Sequence, residues 1–260
     1  MATDTDEHFD RSALLCHLRG ADRADVSKGG KVVRLALGET VYEAERPIHD
    51  VYFPLDAILS VVTVMKDGAI VEIGSIGREG MSAIPLIMGG ATTANRNVCQ
   101  MAGDVWKMSA PTFRTLVTEN KRFRDLMNRY LQAYVNMVSQ YSACNRLHSV
   151  YQRAARWLLM TRDRVVRDEF PLTHEFLAAM LGSHRSGVTV AIENLQKAGF
   201  IRSRRGRITI LDTAGLGEAT CECYELMVRH FDDALGASIE PARTAVKVRS
   251  ERSARRNRAG

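Results

Sequence analysis

Residues 170–210 read FPLTHEFLAAMLGSHRSGVTVAIENLQKAGFIRSRRGRITI, which is the pattern of a helix, a tight turn, a second helix and a hairpin. Thr173 can cap the first helix, because its hydroxyl can accept a free backbone N–H. Gly182 falls where the chain must reverse, and glycine adopts positive φ freely. The second helix has apolar residues at helical spacing, which predict that it packs against the first: Val188, Ile192 and Leu195.

The opposite face of the second helix is predicted to be exposed near its N-terminus. It carries Arg185, Ser186, Thr189 and Val190. A face in this position reads bases in the major groove of DNA in helix-turn-helix proteins. Arginine pairs with guanine, hydroxyls make single hydrogen bonds, and a methyl group can touch thymine. We therefore predict DNA contacts from these four residues, together with Thr173 and His174 at the start of the first helix.

A basic hairpin follows the two helices. Gly199 ends the second helix, and apolar residues flank Arg204-Arg205-Gly206-Arg207 on both sides. Two short helices with a glycine turn occur in many folds that never touch DNA. A hairpin tip with three arginines, however, is suited to contact phosphates. The segment is therefore predicted to be a winged helix-turn-helix, with Arg204, Arg205 and Arg207 as phosphate contacts.

Short apolar runs separated by Gly, Pro and Asp turns occupy residues 31–110. Asp67-Gly68 lies between two such runs and predicts a hairpin. Strands at this spacing are typical of an antiparallel roll or barrel. The runs are Val32–Leu37, Val51–Phe53, Ile58–Met65, Ile70–Ile76, Val98–Met101 and Val105–Met108.

Helical spacing resumes after Pro111, and a long helix without Gly or Pro is predicted from about Lys121 to His148. Its apolar stripe is wider than packing on one small sheet requires, so we predict that part of it meets a second copy of the chain. The alternative is a core helix with one buried side. A further helix, Tyr151–Arg164, is predicted to support the helix-turn-helix. The predicted dimerisation residues are Phe123, Met127, Tyr130, Tyr134, Met137 and Tyr141.

The chain has 260 residues, of which 45% are hydrophobic and 25% charged, as in soluble globular proteins. No apolar run approaches the roughly 20 residues that cross a bilayer, and the acidic start lacks a signal-peptide pattern. We therefore expect a cytoplasmic protein without membrane contact. The net charge of +6 comes from residues 241–260, which hold seven Lys/Arg and one acidic residue. This tail is predicted to be disordered, and it either attracts DNA nonspecifically or is simply solvated.

A β-roll, a long helix and a winged helix-turn-helix, in this order, resemble the CRP/FNR family of bacterial transcription regulators. The most specific segment is residues 172–212, and VYFPLDAILSVVTV, DGAIVEIGSIGREGM and GDVWKM also look like the family's roll. The resemblance implies an α+β fold with a jelly-roll-like antiparallel roll of the cyclic-nucleotide-binding type. It also implies a homodimer held by the long helix, a palindromic site on double-stranded DNA, and contact with RNA polymerase. A dimer would place its reading helices about 34 Å apart.

The region that holds cyclic AMP in some family members departs from their pattern. Those members carry Gly-Glu-Leu followed by Arg-Ser or Arg-Ala, but here Glu79 precedes Gly80, and Thr93-Ala94 stands where the second pair would be. Arg96 is the only arginine nearby, and a buried phosphate without a positioned cation is costly. We therefore predict no bound cyclic nucleotide. Glu79, Gly80 and Arg96 stay as candidates for contacting an unknown effector.

The reading helix departs from the family pattern as well. Many members place Glu after the position of Arg185 and Arg four residues later, where this chain has Ser186 and Val190. A different preferred DNA sequence is therefore expected. Gly187 inside this helix costs up to about 1 kcal/mol. Close approach of the DNA backbone and a helix-packing contact are the two explanations for it.

The five cysteines, at positions 16, 99, 144, 221 and 223, are scattered and predict no disulfide framework. The oxygen-sensing branch of the family holds an iron–sulfur cluster through cysteines near its N-terminus, but only Cys16 lies there, so no cluster is predicted. His49 is a conceivable haem ligand, although an isolated histidine is more often structural. Cys221 and Cys223 could form a redox switch, or a metal site with His230 and Cys144. We predict ordinary burial for them, and hence no metal and no cofactor.

The predicted function is that of a dimeric, sequence-specific regulator that couples a signal at the roll to promoter binding. The alternative is a small-molecule sensing module that acts through protein contact. No enzyme is predicted, because the chain has no phosphate-binding glycine loop, nucleophile elbow or HExxH pair. The predicted domains are a helical segment (1–30), a sensory β-roll (31–110), connecting and dimerisation helices (111–148), a winged helix-turn-helix (149–235) and a basic disordered tail (236–260).

Overall fold

The computed structural model describes residues 4–236. It has the predicted α+β class, with antiparallel sheets first, a long helix next and a helix-turn-helix after it. The predicted tail lies outside the described residues except for Gly236.

Short helices cover one side of the roll before its first strand. They are α1 (Asp4–Arg11), a 3₁₀ turn (Leu15–His17) and α2 (Gly20–Lys28). The ring of Phe9 stands edge-on to Trp106, with the ring centroids 5.3 Å apart. The backbone N–H of Leu14 donates to the carbonyl of Arg78 at 3.2 Å. These contacts fix the N-terminal segment against the roll.

The roll consists of two antiparallel sheets, with strand orders β1-β7-β3 and β2-β6-β4-β5. The strands are β1 (Gly30–Leu35), β2 (Thr40–Tyr42), β3 (Asp50–Pro54), β4 (Ile58–Val64), β5 (Ile70–Ile76), β6 (Arg96–Met101) and β7 (Gly103–Ser109). The hairpin predicted at Asp67-Gly68 joins β4 and β5, and Gly68 has a φ of 85°. The sequence does not predict β2, because this strand is only three residues long and buries only Tyr42.

Two helices lead out of the roll. They are α3 (Ala110–Glu119) and α4 (Lys121–Leu147). Asn120 separates them and caps α4, because its side chain accepts the N–H of Phe123 at 2.9 Å. The next helix, α5 (Val150–Val165), begins with a capping box formed by Ser149 and Gln152. Within residues 4–236, no helix combines the length and the apolar composition needed to span a membrane.

The C-terminal region adds three strands and four helices. They are β8 (Glu169–Pro171), α6 (His174–Leu181), α7 (Arg185–Lys197), β9 (Ile201–Arg204), β10 (Arg207–Ile210), α8 (Thr213–Glu218) and α9 (Cys223–Leu235). The strands form one antiparallel sheet in the order β8-β10-β9. α9 runs antiparallel to α4. Cys223 at the start of α9 contacts Gln140, whereas Phe231, eight residues later in α9, faces Tyr130, which lies earlier in α4. The sequence analysis does not predict β8, α8 or α9.

The C-terminal region also packs directly on the roll. Met180 of α6 places its sulfur 3.7 Å from the Ser60 hydroxyl of β4. Gly182 lies against Val71 of β5, whose Cγ2 would be only 2.8 Å from a Cβ added to the glycine. The first helix of the helix-turn-helix is therefore held by the roll as well as by its own partner helix.

A buried ion pair connects the same two regions. Arg164 of α5 donates from Nε to Glu79 Oε1 at 2.9 Å, and both side chains are only 2% exposed. The same guanidinium donates to the Ser75 hydroxyl at 2.6 Å. A buried pair of this kind is strongly destabilising to break, because the remaining charge is left without a partner.

Candidate nucleic-acid interface

The helix-turn-helix has the local geometry that its sequence predicts. Thr173 caps α6 by accepting the N–H of Phe176 at 3.1 Å. Gly182 ends α6 in the left-handed region, with a φ of 56°. On the inner side of α7, Val188, Ile192 and Leu195 are buried. The inner face is therefore fixed by packing, and the outer face is left free for another molecule.

The outer face of α7 begins with Arg185 and Ser186, and both are exposed. Val190, one turn further on, is 56% exposed. Thr189 is half-buried, and its hydroxyl lies 3.0 Å from Nδ1 of His174. This hydrogen bond connects the first turn of α6 to the outer face of α7 and orients both side chains.

The N-terminus of α7 offers backbone donors at the same place. His184 is the N-cap residue, and its side chain makes no capping hydrogen bond. The first N–H groups of a helix have no partner within the helix, and the helix dipole adds partial positive charge there. Such an end binds anions such as phosphate. Arg185 adds a full charge next to these donors.

The wing is a tight hairpin whose tip is basic. Arg204 of β9 faces Arg207 of β10, and the turn residues Arg205 and Gly206 both have positive φ, at 49° and 73°. This two-residue turn matches the twist of a hairpin. Among the described residues, Arg204 and Arg205 form no ion pair. Arg207 differs, because its Nε lies 2.6 Å from Oε1 of Glu169 on β8.

Two polar contacts hold the reading helix and the wing in place. Gln196 of α7 accepts the backbone N–H of Ser203 in β9 at 2.7 Å. Arg153 of α5 donates to the carbonyl of Leu181, the last residue of α6, at 2.9 Å. α5 therefore acts as the supporting helix. The hairpin that carries the tip arginines is held against α7.

The residues predicted to contact DNA all lie on this one part of the molecule. Seven of them are exposed, while His174 and Thr189 are half-buried. Their roles at DNA remain predictions. The exposed set is Thr173, Arg185, Ser186, Val190, Arg204, Arg205 and Arg207.

The six residues predicted to form a dimer seam are not on the surface of the chain. Each of them is buried within the single chain: Phe123, Met127, Tyr130, Tyr134, Met137 and Tyr141. Tyr130, for example, donates from its hydroxyl to the carbonyl of Met81 at 2.9 Å and faces Phe231 of α9. The width of the stripe is therefore explained by packing on the roll and on α9. These side chains leave no surface for a second copy, and the dimer itself remains a prediction.

The three effector candidates do not come together. Glu79 is buried and paired with Arg164, and its Oε1 also accepts the N–H of Gly77. Gly80 lies against the ring of Tyr130. Arg96 forms a surface ion pair with Glu43 at 2.7 Å. Glu79 is therefore part of the connection between the roll and α5 rather than of an open site.

The structure brings Cys144, Cys221 and Cys223 together and adds His148, which the sequence analysis missed. Their spacing in the chain, Cys-x-x-x-His and Cys-x-Cys, is the signal that could have identified them. His230 is not in this group. The hydrogen bond between Cys144 and Cys221 lowers the pKa of Cys144 and raises that of Cys221. Burial raises the pKa of Cys223.

Comparison with known proteins agrees with this geometry. Residues 152–219 match the Crp-like helix-turn-helix domain. A segment of 46 residues is 50% identical to the transcriptional regulator SdrP of Thermus thermophilus. That segment covers 18% of this chain and 23% of SdrP, so the sequence match spans less than a quarter of that relative.

Solved structures extend the likeness to most of the chain. A crp/fnr-family transcriptional regulator from Eubacterium rectale superimposes with a TM-score of 0.62 at 19% identity, over 81% of this chain and 98% of its own. A CRP-family regulator from Thermus thermophilus gives 0.60 at 19% identity, over 80% and 98%. At these identities the likeness concerns the fold.

Residues 152–219 therefore match a Crp-like helix-turn-helix domain, and most of the chain shares the fold of the solved CRP/FNR-family regulators.

Proposed function

We propose that this protein is a transcription regulator of the CRP/FNR type. It would bind a specific, two-fold symmetric DNA site as a homodimer, and a signal received by the roll would change its affinity for that site. The observation that supports base-specific binding is the exposed start of α7. Arg185, Ser186 and Val190 offer a charged, a hydroxyl and an apolar group within the first two turns of α7. These are the chemistries that distinguish base pairs in the major groove. The wing supplies Arg204 and Arg205 for the flanking phosphates.

The dimer is proposed to form along the outer face of α4. This face has exposed side chains four and three residues apart, the spacing of a helix seam: Asn128, Gln132, Val135, Ser139 and Ser142. Val135 is 50% exposed in its centre, and the half-buried Leu131 and Val138 flank it. Two copies joined here would present two reading helices to successive turns of the duplex.

Coupling between the roll and the DNA-binding region is proposed to pass through their buried contacts. Arg164 is hydrogen-bonded to Glu79 and Ser75 of the roll, and it is part of the helix that supports α6 and α7. A change in the roll that displaces Glu79 would leave a buried guanidinium without its carboxylate. The position of α5, and with it the reading helix, would then have to adjust.

Selection of bound sites from random duplex DNA tests this function directly. The purified full chain is used first without any added small molecule. Recovery of a palindrome with half-sites one helical turn apart is the expected result, and it would support both base recognition and the dimer. Binding that depends on salt but recovers no preferred sequence would contradict sequence-specific regulation. A chain that shows no salt-dependent binding to duplex DNA would favour the alternative of a sensing module acting through protein contact.

A further inference from the structure

Three thiols and an imidazole meet where α4 ends and α9 begins. Cys144 and His148 lie four residues apart on α4 and at its C-cap, so one helical turn brings them to the same side. Cys221 lies two residues before α9, and Cys223 is the first residue of that helix. One ligand atom from each of the four residues lies within 4.8 Å of all the others.

Two of the six separations between the ligand atoms have the values expected around a single tetrahedral metal ion. Zinc binds sulfur at about 2.3 Å and imidazole nitrogen at about 2.0–2.1 Å, so tetrahedral ligand atoms lie about 3.5–3.8 Å apart. Cys144 Sγ and Cys221 Sγ are 3.6 Å apart, and Cys223 Sγ and His148 Nδ1 are 3.5 Å apart. A disulfide would need sulfur atoms about 2 Å apart, and all three cysteines are free thiols. A multi-iron cluster would bind its ligands through different iron atoms and so hold them further apart.

The surroundings orient the imidazole and one thiolate as ligands. Nε2 of His148 lies 3.2 Å from a carboxylate oxygen of Glu222, which favours a proton on that nitrogen. Nδ1 then has a free lone pair directed at Cys223. Carboxylate–histidine pairs of this kind commonly orient zinc ligands. Gln140 donates from its side-chain amide to the sulfur of Cys223 at 3.0 Å, a contact that stabilises a thiolate.

A buried arginine next to the four residues would balance the net charge of the occupied site. Three thiolates and one Zn²⁺ carry a net charge of −1. Arg156 of α5 is 1% exposed, and it interacts electrostatically with Cys144 and Cys221 of the group and with the buried carboxyl of Glu72. Its Nη1 contacts the sulfur atoms of Met160 and Met227, and its guanidinium stacks over Tyr141 at 4.3 Å. A buried guanidinium is costly unless negative charge lies near it, and an occupied site would add a net negative charge beside Arg156.

We propose that Cys144, His148, Cys221 and Cys223 bind one Zn²⁺ ion as a structural site. Four protein ligands complete the coordination and leave no open position for catalysis. The ion would fasten α9 to the last turn of α4, next to the two residues that separate α4 from α5. It would therefore fix the junction between the long helix and the DNA-binding region. The proposal does not depend on which DNA sequence is bound.

Metal content and Co²⁺ substitution test the site. The full chain is produced in zinc-containing medium, purified under reducing conditions and analysed for metal. We expect one zinc per chain, and after exchange with Co²⁺ we expect the visible bands of a tetrahedral ion together with thiolate-to-metal charge transfer. The substitution Cys223→Ser should abolish stoichiometric zinc. Cys16→Ser removes a half-buried thiol outside the group and should leave one zinc per chain.

A milder variant keeps the test decisive if Cys223→Ser does not fold. Glu222 is exposed, so Glu222→Gln preserves the core while weakening the orientation of His148. Loss of a supporting carboxylate should lower zinc affinity about 10–100-fold, measured by competition with a chromogenic chelator. Zinc-free protein without a thiolate-to-Co²⁺ band would overturn the proposal, as would zinc bound equally by all these variants. A metal-free chain with a Cys144–Cys221 disulfide would also overturn it and identify a redox pair instead.

Discussion

Gly187 is half-buried in the first turn of α7, directly after Arg185 and Ser186. A Cβ added to it would meet only the Ser183 hydroxyl, at 3.8 Å, which is ordinary contact. The described residues therefore provide no packing reason for a glycine here, although it costs up to about 1 kcal/mol of helix stability. Close approach of the DNA backbone is the explanation that remains.

Substitution of Gly187 by alanine should separate stability from DNA binding. The free protein should gain up to about 1 kcal/mol in its free energy of unfolding, because alanine favours the helix and has room. Affinity for duplex DNA should fall for specific and random sequences alike. Denaturant titration and salt-controlled binding measure the two effects. Gly217→Ala in α8, also in open space, should leave DNA affinity unchanged. Unaltered DNA affinity in Gly187→Ala would remove the proposed close approach.

Glu72 of β5 is a buried carboxyl group at the boundary between the roll and the DNA-binding region. Its Oε2 accepts a hydrogen bond from Ser60 at 2.7 Å, and the side chain is 1% exposed. Burial raises the pKa of Glu72 from 4.5 to about 7, while Ser60, Arg164 and Arg156 act in the opposite direction. Protonation of this group is therefore linked to folding.

The raised pKa of Glu72 predicts how the stability of the protein depends on pH. A folded-state pKa above the unfolded one means that stability is fully present below about pH 4.5 and is lost as pH rises through about 7. The shift corresponds to about 3 kcal/mol. Glu72→Gln, which keeps a neutral hydrogen-bonding group, should remove this loss. Unfolding free energies of the two proteins should therefore diverge between pH 5 and 8, with the variant more stable at pH 8. Parallel pH profiles would show that Glu72 is not buried in solution.

The sequence was sufficient to place individual surface residues, but not their partners. Arg185 and the wing arginines could be predicted to be exposed, because the helical and strand periodicities assign the inner faces to other residues. Partners distant in the chain could not be predicted. Glu169 pairs with Arg207 from a strand too short to show a pattern, and His174 meets Thr189 across the turn. His148 joins Cys221 and Cys223 only because α9 folds back along α4.

At the scale of elements, α9 changes the interpretation of α4. The strands and helices with clear periodicity were predicted almost to the residue, and β4, β5, α4 and α5 are examples. The stripe of α4 was assigned to a dimer because its width exceeded what the roll could cover. The sequence gives no direct sign that a helix beyond the wing returns to cover it, since amphipathic periodicity shows that a face is buried and does not show by what. The contact of Phe231 with Tyr130 supplies the missing partner.

Two glycines that end helices give a matched test of how α6 is held. Gly182 and Gly199 both have positive φ, at 56° and 82°, so alanine costs about 1–2 kcal/mol at either. Open space surrounds Gly199, whereas a Cβ at Gly182 would lie 2.8 Å from Val71. Gly182→Ala should therefore destabilise the protein by more than Gly199→Ala, by about 1 kcal/mol or more. Chemical denaturation of both variants measures the difference. Equal costs would mean that α6 does not pack on β5 in solution.

At the scale of the whole molecule, the proposed dimer requires an outward face that the chain itself does not cover. Val135→Glu would place a charge in the centre of that face on α4. It should convert the dimer to a monomer, because an unpaired charge at a packed seam is costly. Binding to a palindromic site should weaken at the same time. Sedimentation and binding titration provide the measurements. Val64→Glu on the roll, at a valine that is 42% exposed, is the matched control and should remain dimeric. A Val135→Glu chain that stays dimeric would place the seam elsewhere.

The roll, the long helix and the DNA-binding region form one packed body through Arg164, Met180 and Gly182. This arrangement makes a long-range effect physically reasonable, because the roll contacts α5 and α6 directly. The overall order of these parts follows from the sequence. Their mutual packing cannot be predicted from the sequence, since it depends on buried polar groups such as Glu79 and Glu72. The partner of Glu79, for example, is 85 residues away in the chain.

The central claim is that the exposed start of α7 reads bases while the wing holds phosphates. The affinity of Arg185→Ala for a selected site and for random duplex, at several salt concentrations, tests it most directly. We predict a loss of about 1–3 kcal/mol on the selected site with little change on random DNA. Arg205→Ala should weaken both and lower the salt slope by about one. Equal loss on both DNAs for Arg185→Ala would contradict the account.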